Sequence, residues 1–300
     1  MSYVGSKGNK EYIEPNLNQA SPTADPSAPY APRRPFPYVN ASIYEVESEG
    51  SSNYNGLQTS MKHQLSNGLS AIVNYTYSKA LGNGSTTMGA QNNDGFRYSR
   101  DPSIEYGPLD FDVRNRFVGS VIYQLPFGQG KHFGGSSSQK LNTMIGGWTV
   151  SGIVTLSSGN WFTVTDGNGN FANSDGQQRP NFVPGQKATG KRCVPRTFFN
   201  TCAFADPAEG SFGDVSLNSL EGPGYEDVDL AVQKIIPIRG TMQLELRGEM
   251  FNALNHPNHL FAAPGPQNSN SSTVFGSPSF GYVTAAEAPR EIQVAAKFNY

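Results

Sequence analysis

The stretch that decides the fold is Leu69-Ser-Ala-Ile-Val-Asn-Tyr-Thr-Tyr-Ser-Lys79. Apolar and aromatic side chains occupy every second position, and the positions between them are polar except for Ile72. Alternation of this kind predicts a β-strand with one apolar and one polar face. The stretch is also about as long as a tilted strand must be to cross a bilayer, which takes roughly 9–11 residues.

The same alternation recurs in six other segments of similar length, so the sequence predicts seven strands, each long enough to cross a membrane. The short segments between them alternate strictly with much longer ones. Short turns at one rim and long loops at the other are typical of an outer-membrane barrel. The other six predicted strands are 54–65, 117–125, 148–157, 228–236, 242–250 and 292–300; the long connections are 80–115, 159–225 and 252–289.

The composition agrees with β structure and excludes two other classes of protein. The chain contains 14 Tyr and 18 Phe, residues that favour strands. Its mean hydropathy is −0.47, and it has no run of about 18 apolar residues, as a membrane-spanning helix requires. A net charge of −2 creates no basic field that would attract nucleic acid.

We therefore predict an all-β fold: an antiparallel transmembrane β-barrel segment with about seven long strands, long external loops and short periplasmic turns. Such strands would lie in the cell outer membrane, with membrane lipid against their apolar face. The alternative is a soluble β-sandwich, whose strands also alternate because one face of each sheet is exposed to water. Its strands are usually nearer five or six residues long.

Nine motifs follow one another along the chain. They are Ser52-Asn-Tyr-Asn-Gly-Leu-Gln58, Asn74-Tyr-Thr-Tyr-Ser-Lys79, Asp110-Phe-Asp-Val-Arg-Asn-Arg-Phe117, Gln124-Leu-Pro-Phe-Gly-Gln-Gly130, Gly147-Trp-Thr-Val-Ser-Gly152, Leu220-Glu-Gly-Pro-Gly224, Glu249-Met-Phe-Asn-Ala-Leu-Asn-His-Pro-Asn258, Phe280-Gly281 and Ala288-Pro-Arg-Glu-Ile-Gln293. In this order they resemble the barrel of Oar-like TonB-dependent receptors, nearly from end to end.

The resemblance implies that residues 1–300 are the C-terminal part of a barrel of about 22 strands, so that these strands alone would form an open partial barrel. Tyr3-Val-Gly-Ser-Lys-Gly8 would end a preceding strand, and the proline-rich residues 9–53 would form an external loop. Signal peptide, regulatory domain and plug are expected to be absent from the chain, so the TonB complex would act only through the missing plug. The implied function is substrate capture and uptake, with the substrate unknown. The alternatives are an outer-membrane adhesion or assembly protein and a soluble all-β carbohydrate-binding module.

The last predicted strand carries a further signal. One of its faces is apolar, and it ends on an aromatic carboxy-terminal residue. This resembles the signal by which the outer-membrane barrel assembly machinery recognises unfolded strands, and strand addition would provide the affinity. The face consists of Ile292, Val294, Ala296, Phe298 and Tyr300.

The only two cysteines, Cys193 and Cys202, are separated by eight residues. This spacing suits a disulfide that closes a small external loop in an oxidising compartment, and two unpaired thiols are the alternative. No CxxC motif or nearby histidine completes a metal site around them.

Other aromatic, histidine and acidic residues give weaker predictions of function. Trp161 and Phe162 could stack on a sugar ring or a siderophore, or belong to an interfacial aromatic girdle. His256-Pro-Asn-His259 fits a loop motif better than a metal site, because Pro257 forbids a regular helix. Gly167-Asn-Gly169, near Asp166 and Asp175, could suit a calcium loop but does not have EF-hand spacing. No nucleophile and base set is visible, so we expect neither an enzyme nor a cofactor.

The polar face predicts one ion pair. Asp227, Asp229 and Glu249 would repel one another on neighbouring strands, and Arg247 shares their face. Because a buried charge needs a partner, we expect Arg247 to lie within salt-bridge reach of Asp229 or another of these carboxylates.

Overall fold

The computed structural model describes residues 1–66, 68–84, 96–261 and 271–300. Eight long strands form one antiparallel sheet in chain order, and the two-residue strand Gly107–Pro108 pairs with the end of the third. The first and last strands are not paired with each other in the described part of the chain, so the sheet is open. The strands are β1 (Ser2–Ile13), β2 (Glu47–Ser66), β3 (Leu69–Gly82), β4 (Asn115–Gln124), β5 (Trp148–Ser157), β6 (Tyr225–Arg239), β7 (Met242–Phe251) and β8 (Glu291–Asn299).

The predicted all-β antiparallel fold is confirmed, with one correction. The seven predicted strands correspond to β2–β8, and β1 contains Tyr3–Gly8, which the resemblance assigned to a preceding strand. The boundaries 9–53 of the first loop are wrong, because β1 continues to Ile13 and β2 begins at Glu47, so the loop spans 14–46. Two irregularities in the pairing of β1 with β2 lie between Asn9 and Ile13. Bulges insert unpaired residues and break the alternation, which hid these strand ends from a period-two pattern.

The register places the apolar positions of neighbouring strands side by side. Val154 of β5 pairs with Gly119 of β4 and with Val228 of β6. The next position, Thr155, pairs with Asp227. Because directly opposed residues of an antiparallel pair share a face, the sheet has one continuous apolar face and one polar face.

The buried hydrophobic cluster of the protein lies outside this sheet. Side chains on the apolar face remain exposed, and Val294 of β8 is 82 % exposed. An uncovered apolar face of this size needs an apolar environment, because soluble proteins rarely leave such patches in water. The cluster is instead built from the long loops between the strands, and its members are Val164, Ala188, Phe199, Ala203, Phe204, Val215, Leu220, Phe261 and Phe280.

In the described residues, the helices and additional strands of the connections are short. The helix α1 (Gln139–Ile145) begins after Ser138, whose hydroxyl accepts a hydrogen bond from the Leu141 N–H, and it ends at Gly146. The 3₁₀ turns are Ala31–Arg33, Pro102–Glu105, Thr201–Ala203 and Ser271–Thr273. Two-residue strand pairs join Trp161–Phe162 to Leu220–Glu221, Thr165–Asp166 to Val274–Phe275, Asn181–Phe182 to Phe204–Ala205, and His259–Leu260 to Ala285–Ala286.

Candidate functional site

The four long loops meet at one end of the sheet and fold against one another. They are L1 (14–46), L2 (83–114), L3 (158–224) and L4 (252–290). We call their described residues, which leave out 85–95 and 262–270, the loop lobe. The hydrogen-bond pattern of an up-and-down sheet brings them to the same rim, since they follow alternate strands. Binding residues are often carried by loops on a rigid scaffold, so the loop lobe is the candidate site.

Aromatic side chains of L3 and L4 form the interior of the loop lobe. The ring centroids of Phe162 and Phe261 are 4.7 Å apart, and those of Phe199 and Phe280 are 5.2 Å apart in an edge-to-face arrangement. Such pairs contribute about 0.5–1.5 kcal/mol beyond the burial of their area. The long loops therefore have a packed core of their own.

A buried ion triad joins L2 to L3. The carboxylate of Glu105 accepts from Arg97 Nε at 3.0 Å and from Arg179 Nη1 at 2.7 Å. The side chains of Glu105 and Arg179 are 0 % exposed. Burial raises the pKa of Glu105, but the two guanidinium groups outweigh it and hold the pKa below its ordinary value. Burial lowers the pKa of Arg179 to about 10. The triad fixes two loops together because neither charge type can be buried alone at low cost.

Polar contacts attach L1 to L2 and to L3. Arg34 forms a salt bridge with Asp175 of L3 at 2.8 Å. The side chain of Gln19 donates to the Arg97 carbonyl at 2.8 Å and accepts from the Ser99 N–H at 2.5 Å. L1 is therefore part of the folded lobe and not a separate strap.

Trp161 and Phe162 occupy different environments within the loop lobe. Phe162 packs into the aromatic core, which gives it a structural role. The Trp161 ring stacks on the Arg114 guanidinium, whose carbon lies 5.0 Å from the ring centroid, and Arg114 is in turn paired with Asp112 at 2.6 Å. Neither aromatic residue lies on the eight-stranded sheet. Their contact with a substrate stays a prediction.

Cys193 and Cys202 form a disulfide in L3, with their Cα atoms 6.1 Å apart. The Asn200 side chain accepts from the N–H groups of both cysteines, at 3.4 and 3.3 Å. The covalent ring between them contains Phe198 and Phe199, which pack into the aromatic core. The disulfide thus holds the segment that supplies core residues.

The proposed calcium ligands are not brought together. Asp175 is engaged by Arg34, whereas Asp166 accepts from the Asn168 N–H at 2.8 Å. Burial, followed by the charge of Asp206, raises the pKa of Asp166. Within the described ranges, no three or more His, Cys, Asp or Glu side chains are grouped to hold a metal ion.

The predicted ion pair on the polar face is confirmed. Arg247 Nη2 lies 2.6 Å from Glu249 Oε1. The partner is a carboxylate two residues along the same strand and not Asp229, whose side chain accepts from the Asn252 N–H at 3.0 Å. The pair lies on the face opposite to that of Leu246 and Leu244.

The last strand has the geometry that an assembly signal needs. Strand β8 pairs with β7 along one edge, and its other edge has no partner among the residues that the structure describes. Recognition by the assembly machinery stays a prediction. The predicted signal residues Ile292, Val294, Ala296 and Phe298 lie opposite Met250, Gly248, Leu246 and Leu244 on the apolar face.

The residues that sequence reasoning missed are mostly charged. Glu105 and Arg179 are 74 positions apart and stand in no recognisable motif. Lys234 lies on the apolar face of β6, where alternation predicts an apolar residue. No local signal in the sequence could have identified them, because their partners come from distant segments.

In the described ranges, no helix is long and apolar enough to cross a membrane, and α1 has seven residues. A family model for an outer membrane beta barrel domain matches residues 1–293. The chain belongs to this family. A comparison with curated proteins gives no match. This outer-membrane barrel domain is accordingly located in the cell outer membrane. In such barrels the apolar face contacts lipid, the long loops are extracellular and the short turns are periplasmic.

Proposed function

We propose that this outer-membrane barrel domain is part of an Oar-like TonB-dependent receptor, and that its loop lobe captures a substrate for uptake. The observation that carries the proposal is the preformed lobe, held by the Phe core and by the triad of Arg97, Glu105 and Arg179. A rigid binding surface does not lose further loop entropy when a ligand binds. A sheet that is open at both edges also suits a domain that is completed by further strands.

The contact residues that we propose are exposed aromatic side chains of L2. Phe111 is 65 % exposed and directly precedes Asp112, the partner of Arg114. Tyr106 of L2 is also exposed. Aromatic faces of this kind stack on sugar rings and on aromatic chelators. Phe162 is not among them, because it is part of the core.

The energy for uptake would come from the inner-membrane TonB complex acting through a plug, and this chain would supply the wall and the capture surface. The domain is not proposed to catalyse a reaction or to hold a cofactor. Arg247 and Glu249 on the polar face would line the passage and give it local charge of both signs.

Genetic epistasis in the native cell tests the proposal even while the substrate is unidentified. Uptake is measured for a panel of radiolabelled ferric siderophores and oligosaccharides. Deletion of the gene is expected to lower uptake of at least one probe. In cells that already lack TonB, deletion of the gene should not lower this uptake any further. Phe111→Ala should weaken uptake of the same probe, whereas Tyr38→Ala, at a fully exposed aromatic residue of L1, serves as the matched control.

Two results would contradict the proposal. One is unchanged uptake of every probe together with a loss of cell adhesion, which would assign the domain to the adhesion class. The other is an uptake defect that persists at full size in cells lacking TonB, which would make the barrel a passive channel.

A further inference from the structure

The connection between β4 and β5 borders an open groove. We call residues 126–147 the rim segment. Its Phe127 and Phe133 approach each other through a β-bridge, with ring centroids 5.6 Å apart. The groove has a volume of about 550 Å³ and is lined mainly by Phe127, Phe133, Met144, Ile145 and Trp148. This volume falls within the range of roughly 300–1,000 Å³ that is usual for small-molecule sites.

The groove lies where the apolar face of the sheet meets the periplasmic rim. Trp148 begins β5 on the apolar face, and its carbonyl accepts from the Leu125 N–H at 2.9 Å. Tryptophan at this depth is typical of a membrane interface. Met144 of α1 is 73 % exposed, so the groove wall is open to its surroundings and is not a sealed core. Its surroundings are the inner leaflet of the outer membrane, since the short turns are periplasmic.

Lys234 contacts two of the residues that line the groove. Its ammonium group donates to the carbonyls of Met144, at 3.1 Å, and Gly146, and it lies 5.0 Å from the Trp148 ring centroid. These contacts fix the C-terminal end of α1 to β6. The Lys234 ammonium group is therefore satisfied by contacts within the protein and is not available to a ligand.

Two other lysines are available. Lys131 and Lys140 are exposed, and the rim segment contains no Asp or Glu. Lys140 precedes Met144 by four residues in α1, so the two side chains lie on the same side of the helix. Lys131 lies two residues before Phe133. The rim segment that lines the groove thus carries two exposed cationic side chains and no carboxylate to oppose an anion.

We propose that the groove binds one acyl chain of an anionic phospholipid of the inner leaflet, with the lipid phosphate held by Lys131 and Lys140. The apolar lining suits the chain, and the two cations distinguish an anionic from a zwitterionic headgroup. The site depends on membership of the outer-membrane barrel family and not on the transport proposal. It would fix the depth of this rim in the membrane.

In-cell photocrosslinking tests the site. Phe133 is replaced by p-benzoylphenylalanine, cells are irradiated, and lipid adducts on the purified protein are identified by mass spectrometry. The ratio of phosphatidylglycerol to phosphatidylethanolamine adducts is compared with the ratio in the membrane. The phosphate is common to both lipids, but the ammonium group of phosphatidylethanolamine cancels its charge. Each lysine beside the headgroup should therefore favour the lipid of net negative charge by roughly fivefold, so we expect an enrichment of about five- to 25-fold.

The chain offers matched controls. Leu141 of α1 is 47 % exposed but does not line the groove, so the same crosslinker there should show no enrichment. Lys131→Gln with Lys140→Gln should abolish the enrichment at position 133, and Lys191→Gln in L3 should leave it unchanged. Equal enrichment at positions 133 and 141, enrichment that survives the double substitution, or adducts with protein in place of lipid would each overturn the proposal.

Discussion

Replacing Glu105 with Gln should separate the folding of the loop lobe from that of the sheet. The substitution preserves the shape of the side chain and removes its charge. Arg97 and Arg179 are then left close together without the carboxylate that accepts from both of them at 3.0 and 2.7 Å. None of the three triad residues belongs to a strand of the sheet. We therefore expect the loss of stability to be confined to the loop lobe.

The magnitude follows from the burial of the triad. Removing one partner of a buried ion pair typically costs about 3–5 kcal/mol. Arg97 keeps hydrogen bonds to the carbonyls of Gly213, at 2.8 Å, and Ile104, at 3.1 Å, so we expect the lower end of that range. Since each 1.4 kcal/mol is a factor of ten, the opening equilibrium of the lobe should shift by about two orders of magnitude.

Hydrogen–deuterium exchange measured by mass spectrometry on the detergent-extracted protein resolves the two regions. Peptides from L2 and L3 should lose about a hundredfold in protection in the Glu105→Gln variant, and peptides from β4 and β5 should not change. Glu209→Gln, at an exposed carboxylate of L3, is the control and should shift protection by less than about 0.5 kcal/mol.

The pH dependence provides a second measure. The pKa of Glu105 is lowered in the folded lobe, so the ionised carboxylate stabilises it above the unfolded pKa of about 4.3. This stability is lost as the pH falls through the lower, folded pKa. Lobe protection in the native protein should thus decline below about pH 4, and the Gln variant should lack this component. Unchanged protection in the variant, or an equal loss in the strands, would refute the reasoning.

Three further predictions concern other parts of the molecule. Val154→Arg places a charge on the apolar face near the middle of β5 and should cost roughly 2–4 kcal/mol of folding free energy in lipid bilayers, whereas Thr155→Arg on the polar face should cost far less; equal losses would remove the assignment of the faces. Cys193→Ser should lower the stability of the loop lobe by roughly 2–3 kcal/mol, measured by exchange of L3 peptides, and an unchanged rate would show that the aromatic core alone holds this segment. Deletion of 298–300 should block outer-membrane insertion without changing synthesis, as membrane fractionation would detect; normal insertion would disprove the assembly signal.

The sequence by itself determined the sheet, because period-two alternation is a local property of a strand. Once Val73 and Asn74 are known to point to opposite faces, the short turns leave few registers that keep apolar positions together. The observed pairing of Val154 with Val228 follows from the same constraint. Bulges near Asn9 interrupt the alternation and obscured the ends of β1 and β2.

Only the tertiary structure decided the loop lobe and the groove. Phe162 and Phe261 are 99 positions apart, and no periodicity marks them as neighbours in a core. The same holds for Arg179, whose buried charge is balanced by Glu105 of another loop. Lys234 interrupts an apolar face, and the reason becomes visible only when the end of α1 presents its carbonyl groups to it. Alternation records which way a side chain points, whereas a buried charge or an aromatic core depends on which distant segments meet.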